Sequence, residues 1–138
     1  MAFTNVVRAE DFHTKKLLSQ MVINVDEESK VSGGIGAAGN YLVAHLPEDC
    51  IIQSAFVFTT VASAAAADID IGTTEGGVDI MADGDANVLG MTGTPAASMY
   101  TGTGKDVYMA TAADNVAEYY VVIQYLELKV STGSMTRI

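Results

Sequence analysis

The sequence predicts an all-β chain, an antiparallel β sandwich of jelly-roll-like kind with long Gly/Thr/Ala-rich loops. Three observations predict it. Many short segments alternate apolar with polar residues or are rich in β-branched ones, turn signals recur about every dozen residues, and almost nothing carries a sustained helical period. No strand–helix–strand spacing appears, which argues against a parallel sheet.

Each element has its own signal. Met21 to Val25 (MVINV) is apolar and β-branched and is closed by the acids Asp26, Glu27 and Glu28. Tyr41 to Leu46 should end at Pro47, which has no N–H for a ladder. Ile51 to Val61 sets Ile52, Ser54, Phe56, Phe58 and Thr60 on one face and Ile51, Gln53, Ala55, Val57 and Thr59 on the other; both faces are partly apolar, as inside a sandwich. Asp68 to Ile71 alternates strictly, with Ile69 and Ile71 inward, and Gly72 ends it. Asp106 to Thr111 and Glu118 to Val130 read as the two strands of a hairpin across Ala112 to Ala117. Between Gly72 and Gly104 there are eight glycines in 33 residues, which predicts long loops with one or two short strands. Four consecutive alanines, Ala64 to Ala67, are too few to nucleate a helix. Glu10 to Ser19 suits a short helical turn or an extended arm. The expected organisation is an N-terminal arm, residues 1–20, and one β-sandwich domain, residues 21–138.

Composition bounds the function. Apolar residues make up 49% of the chain and charged ones 17%, so its acidity is not that of a disordered segment. At 138 residues one domain is expected, burying roughly two-thirds of the surface of its unfolded chain. Seventeen Asp and Glu stand against seven Lys and Arg, a formal charge of -10. No Lys or Arg lies between Lys30 and Lys105, while Glu48, Asp49, Asp68, Asp70, Glu75, Asp79, Asp83 and Asp85 do. Partners held by a basic face, nucleic acid and anionic lipid, are therefore excluded. The one cysteine, Cys50, leaves no intrachain disulfide and no CxxC, and is expected as a small buried side chain near a strand start. The N-terminus lacks the apolar run of a signal peptide and no segment approaches a membrane span, so synthesis in a reducing cytoplasm is expected.

No constellation carries chemistry. Gly34, Gly36 and Gly39 match GxGxxG, but a strand follows rather than a helix, and no acid stands near twenty residues on to bind a ribose; no cofactor is expected. Asp83-Gly-Asp85-Ala-Asn87 opens like a calcium loop but lacks the later Gly and Glu of an EF-hand. A looser calcium site on Asp79, Asp83 and Asp85 stands open beside the reading as a solvated acidic turn. His13 and His45 have no ligand neighbours in sequence, and no serine lies in a GxSxG elbow. Asp68 and Asp70 share a strand face roughly 7 Å apart, the spacing of an acid–base pair, yet without Trp there is no sugar platform, and a solubilising face is the simpler account. Tyr119, Tyr120 and Tyr125 suit core packing more than an interface. No catalytic residue and no metal ligand is assigned.

The order LPEDC-IIQSAFVFTT, ADIDIGTTEGG, a Gly/Thr-rich interval, GKDVYMAT and a closing EYYVVIQYLEL resembles the small jelly-roll cement, or capsid decoration, proteins of tailed bacteriophages. The matching positions are Pro47, Asp70 to Thr73, Asp106 to Tyr108 and Val121 to Tyr125, within about residues 41 to 130. The resemblance implies a non-enzymatic virion protein on the outer surface of the capsid. Its partners would be the major capsid protein and its own copies, as a dimer or trimer, bridging neighbouring subunits. The expected capsid or subunit interface is Phe3, Val6, Val7, Arg8, Phe12, Lys15 and Lys16, where an apolar and cationic segment precedes the acidic body. The alternative, a receptor- or carbohydrate-binding β-sandwich module of a phage tail or fibre, needs an exposed aromatic or calcium site between Gly72 and Gly104.

Overall fold

A computed structural model of the chain describes residues 18–26, 28, 30, 37–96, 99–112 and 116–128. Among the described residues ten strands, all paired antiparallel, form two sheets. Sheet A has the order β1 (Ser19–Val25), β10 (Glu118–Glu127), β3 (Cys50–Val61) and β6 (Gly90–Thr92), with β8 (Met99–Tyr100) also on β3. Sheet B runs β2 (Gly39–Leu46), β9 (Lys105–Thr111), β4 (Asp68–Gly72), β5 (Met81–Asp85) and β7 (Thr94–Pro95). The pairing is nested: β1 with β10, β2 with β9, β3 with β6 and β8, β4 with β5. The chain thus changes sheet at every connection between these strands except that from β4 to β5.

The last of these changes corrects the expected hairpin. β9 pairs β2 and β4 in sheet B, whereas β10 lies between β1 and β3 in sheet A. Both strands have an apolar inward set, Val107 and Met109 on β9 and Tyr119, Val121 and Ile123 on β10. Facing one another across the core hides both sets, where a hairpin would place them side by side. The interval from Gly72 to Gly104 also differs from expectation: its described residues hold four strands, β5 to β8, two of them only two residues long.

The core lies between the sheets. Val25, Ala55, Val57, Val121 and Ile123 from sheet A meet Leu46, Ile69, Ile71, Met81, Val107 and Met109 from sheet B. The alternation in Asp68 to Ile71 is realised, with Ile69 and Ile71 buried and Asp68 exposed. In β3 the period of two slips. The register passes from Ser54↔Gln124 to Ile52↔Tyr125, leaving Gln53 unpaired, so Cys50 and Ile52 are buried before the bulge and Ala55, Val57 and Thr59 after it. The same device acts in β2, where Val43 is the extra residue opposite β9; Leu42 is left outside while Leu46 is fully buried. After β1 the Lys30 N–H donates to the Asp26 carbonyl at 3.1 Å, one helical turn, and Lys30 Nζ lies 5.9 Å from the centre of the Tyr119 ring.

Candidate functional site

The seven residues singled out as a capsid or subunit contact, Phe3 to Lys16, lie outside the described residues, as do His13, Gly34 and Gly36. Gly39 opens β2, the strand that the sequence places where a dinucleotide fold needs a helix. What the structure does build is a pair of sheet faces turned away from the core, very different in charge.

The outer face of sheet B is acidic. Asp68 and Asp70 on β4 stand there with Asp85 directly opposite Asp68 on β5. Across β9 and β2, Asp106 lies opposite His45, and His45 Nδ1 is 2.9 Å from Asp106 Oδ1. The carboxylates mostly hold backbone. Asp70 Oδ1 accepts the N–H of Asp83, a residue at φ 59° where β5 carries one residue more than β4, at 3.2 Å. Asp85 Oδ1 accepts the N–H groups of Ala67 at 3.2 Å and Asn87 at 2.8 Å. Asp79 accepts both the N–H, at 2.7 Å, and the hydroxyl of Thr73. The Asp79 and Asp85 carboxylates are thus set on separate tasks, and Asp83 enters through its backbone N–H. Among the described residues no group of three or more His, Cys, Asp or Glu is placed to hold a metal ion.

The outer face of sheet A has no charged residue in its three central rows. One row crosses four strands, Asn24, Tyr120, Phe58 and Met91, each directly opposite the next. Beside it run Val22, Val122 and Phe56, then Gln20, Gln124 and Ser54. Val22 is 56% exposed, Phe58 45% and Met91 66%. Sequence reasoning marked the second face of β3 as apolar but not the face as a whole, because its members come from strands far apart in the chain. Of the three tyrosines, Tyr119 is buried, Tyr125 packs against the core and Tyr120 faces out.

Cys50, buried where β3 begins, is a free thiol. Its N–H donates to Thr101 Oγ1 at 3.0 Å, and that hydroxyl donates to the Pro47 carbonyl at 2.9 Å. Burial pushes the thiol above its ordinary value, Glu127 and Asp49 add to the push, and the Thr101 hydroxyl opposes it. Burial and Glu127 likewise raise the Tyr125 phenol.

No protein-family model and no curated protein matches the chain. Two solved structures share its fold. One is a chain in the acid-stable capsid structure of Helicobacter pylori bacteriophage KHP30, with a TM-score of 0.58 at 14% identity, covering 85% of this chain and 91% of that one. The other is a chain in the capsid asymmetric unit of cyanophage Pam1, with a TM-score of 0.56 at 15% identity, covering 92% of this chain and 97% of that one. Since nearly all of both partners is covered in each case, the matched chains are of similar length to this one.

Proposed function

We propose that this chain is a structural protein of a phage virion, a capsid cement or decoration protein that binds the outside of the head and bridges neighbouring capsid subunits without catalysing a reaction. The observation that carries the reading is the end-to-end likeness, at matched length, to chains in two phage capsid structures. The nested pairing of first strand with last, second with ninth and fourth with fifth supports the jelly-roll form that such proteins resemble. Attachment would be multivalent: several modest contacts per oligomer add to a hold on the head that none of them gives alone. The residues assigned to that contact are Phe3, Val6, Val7, Arg8, Phe12, Lys15 and Lys16, which carry apolar and positive side chains ahead of an acidic body.

The test is add-back to heads assembled without this protein. The full chain is expected to sediment with the heads at saturating stoichiometry and to raise their resistance to heat. A variant lacking residues 1–16 should stay folded, with an unchanged circular dichroism spectrum, and remain in the supernatant. Full-length protein that never co-sediments would overturn the virion reading; a shortened chain that binds as well as the full one would overturn the assignment of the N-terminal segment.

A further inference from the structure

We propose that the outer face of sheet A is a self-association surface, on which two copies of this chain pack face to face about a two-fold axis. The inference rests on the face itself and not on the virion reading. One row is continuous across β1, β10, β3 and β6 and two more across β1, β10 and β3, so Val22, Phe58, Met91 and Tyr120 form one apolar surface rather than scattered exposed residues.

Charge selects the occupant. In a two-fold contact the same surface meets itself, so an acidic face is brought against an acidic face, and like charges so apposed are costly. A chain of net charge -10 has few surfaces that escape this penalty. Sheet B does not escape it, since its outer face would set Asp68, Asp70 and Asp106 against a second set of the same residues. The three central rows of sheet A do, because they hold only apolar and uncharged polar side chains. A basic partner would find a carboxylate only at the margin of these rows, Asp26 at 3.4 Å from the Asn24 amide, and an acidic lipid surface would find no cation within them.

Area agrees with this choice. At the exposures of Val22, Phe58, Met91 and Tyr120, these four side chains leave on the order of 400 Å² open, about half of the ~800 Å² per partner that a standard interface buries. The uncharged flanks, Gln20, Asn24 and Gln124, supply polar rim around this apolar centre. Tyr, Phe and Met are also the residue types enriched at such centres. Two twisted sheets stacked in this way would lie about 10 Å apart.

The experiment is sedimentation equilibrium of the full chain from about 1 to 100 μM, beside Phe58→Glu, Met91→Glu and, on the other sheet, Leu42→Glu. The wild type and Leu42→Glu are expected at twice the 14.4 kDa chain mass at the upper concentrations. Phe58→Glu and Met91→Glu are expected at the single-chain mass throughout, with unchanged circular dichroism; because Met91 is the more exposed, it answers the question should Phe58→Glu fail to fold. A monomeric wild type, a trimer, or a dimer that survives both charged variants would overturn the proposal. Heads that bind a monomeric wild type but not Met91→Glu would assign the face to the capsid shell instead, and so also count against a second copy.

Discussion

Gly84 on sheet B and Val57 on sheet A touch across the core: a Cβ at position 84 would stand 2.9 Å from Val57 Cγ2. The same atom would meet the Ile69 carbonyl oxygen at 2.8 Å and Met81 Cε at 2.9 Å. Hydrogen is the only substituent that lets the sheets approach so closely there, which is why a glycine sits inside β5.

Gly84→Ala should therefore cost about 1 to 3 kcal/mol, the usual penalty for overpacking a filled core. Val57→Ala alone destabilises by removing buried methyl groups. Combined with Gly84→Ala it should cost less than the sum of the two, since the deleted methyl is one of the groups in the way, but the backbone oxygen of Ile69 prevents full rescue. Urea denaturation of the four proteins gives the coupling. Strict additivity would show that the contact is not where the strain lies.

Much of this packing was legible in the sequence, and the failures have physical causes. Asp68 to Ile71 is short and unbulged on its own side, so its alternation gave the inward pair Ile69 and Ile71 correctly. β3 could not be phased that way, because the slip at Gln53 arises from its pairing with β10 and leaves no mark in the local pattern. The connection between β9 and β10 suits either a hairpin or a change of sheet, and only burial of both apolar sets against each other decides for the second. β6, β7 and β8 are two or three residues long and rich in Gly, Met and Thr, below what periodicity can detect. The uncharged face of sheet A was hidden for another reason: Val22, Phe58, Met91 and Tyr120 are neighbours only through strand register. The N-terminal residues Phe3 to Lys16 lie outside the described residues, so their assignment still rests on sequence.

Asp68 and Asp85 face each other directly across β4 and β5, two carboxylates on one side of the sheet. Like charges so placed oppose the pairing. Asp85 is retained for its bonds to Ala67 and Asn87, while the Asp68 side chain is exposed, making Asp68 the residue to change. Asp68→Asn should stabilise the fold by a few tenths of a kcal/mol at low salt, and the gain should shrink at 1 M salt, where charges are screened beyond about 3 Å. Thermal melts of both proteins at the two ionic strengths check this. A variant less stable than the parent at low salt would refute the repulsion.

Cys50 and Tyr125 make stability fall on the alkaline side. Both groups are held neutral in the fold, first by burial and then by Glu127, so each gives up its proton at higher pH folded than unfolded. Above the ordinary thiol value of 9.0 the unfolded chain is the first to lose the Cys50 proton, and it then binds fewer protons than the native one. By linkage the free energy of unfolding declines as pH rises from there. The contribution is fully present below that pH and is lost as pH climbs through the folded value; Tyr125 adds a second decline above 10.0. Melting temperatures measured from pH 7 to 11 should be level at first and then drop, and Glu127→Gln should soften the drop because it removes a charge acting on both groups. The buried thiol should also react slowly with a disulfide reagent at pH 8 until denaturant opens the sandwich. Rapid labelling of the native protein would mean that Cys50 is not enclosed as the fold places it.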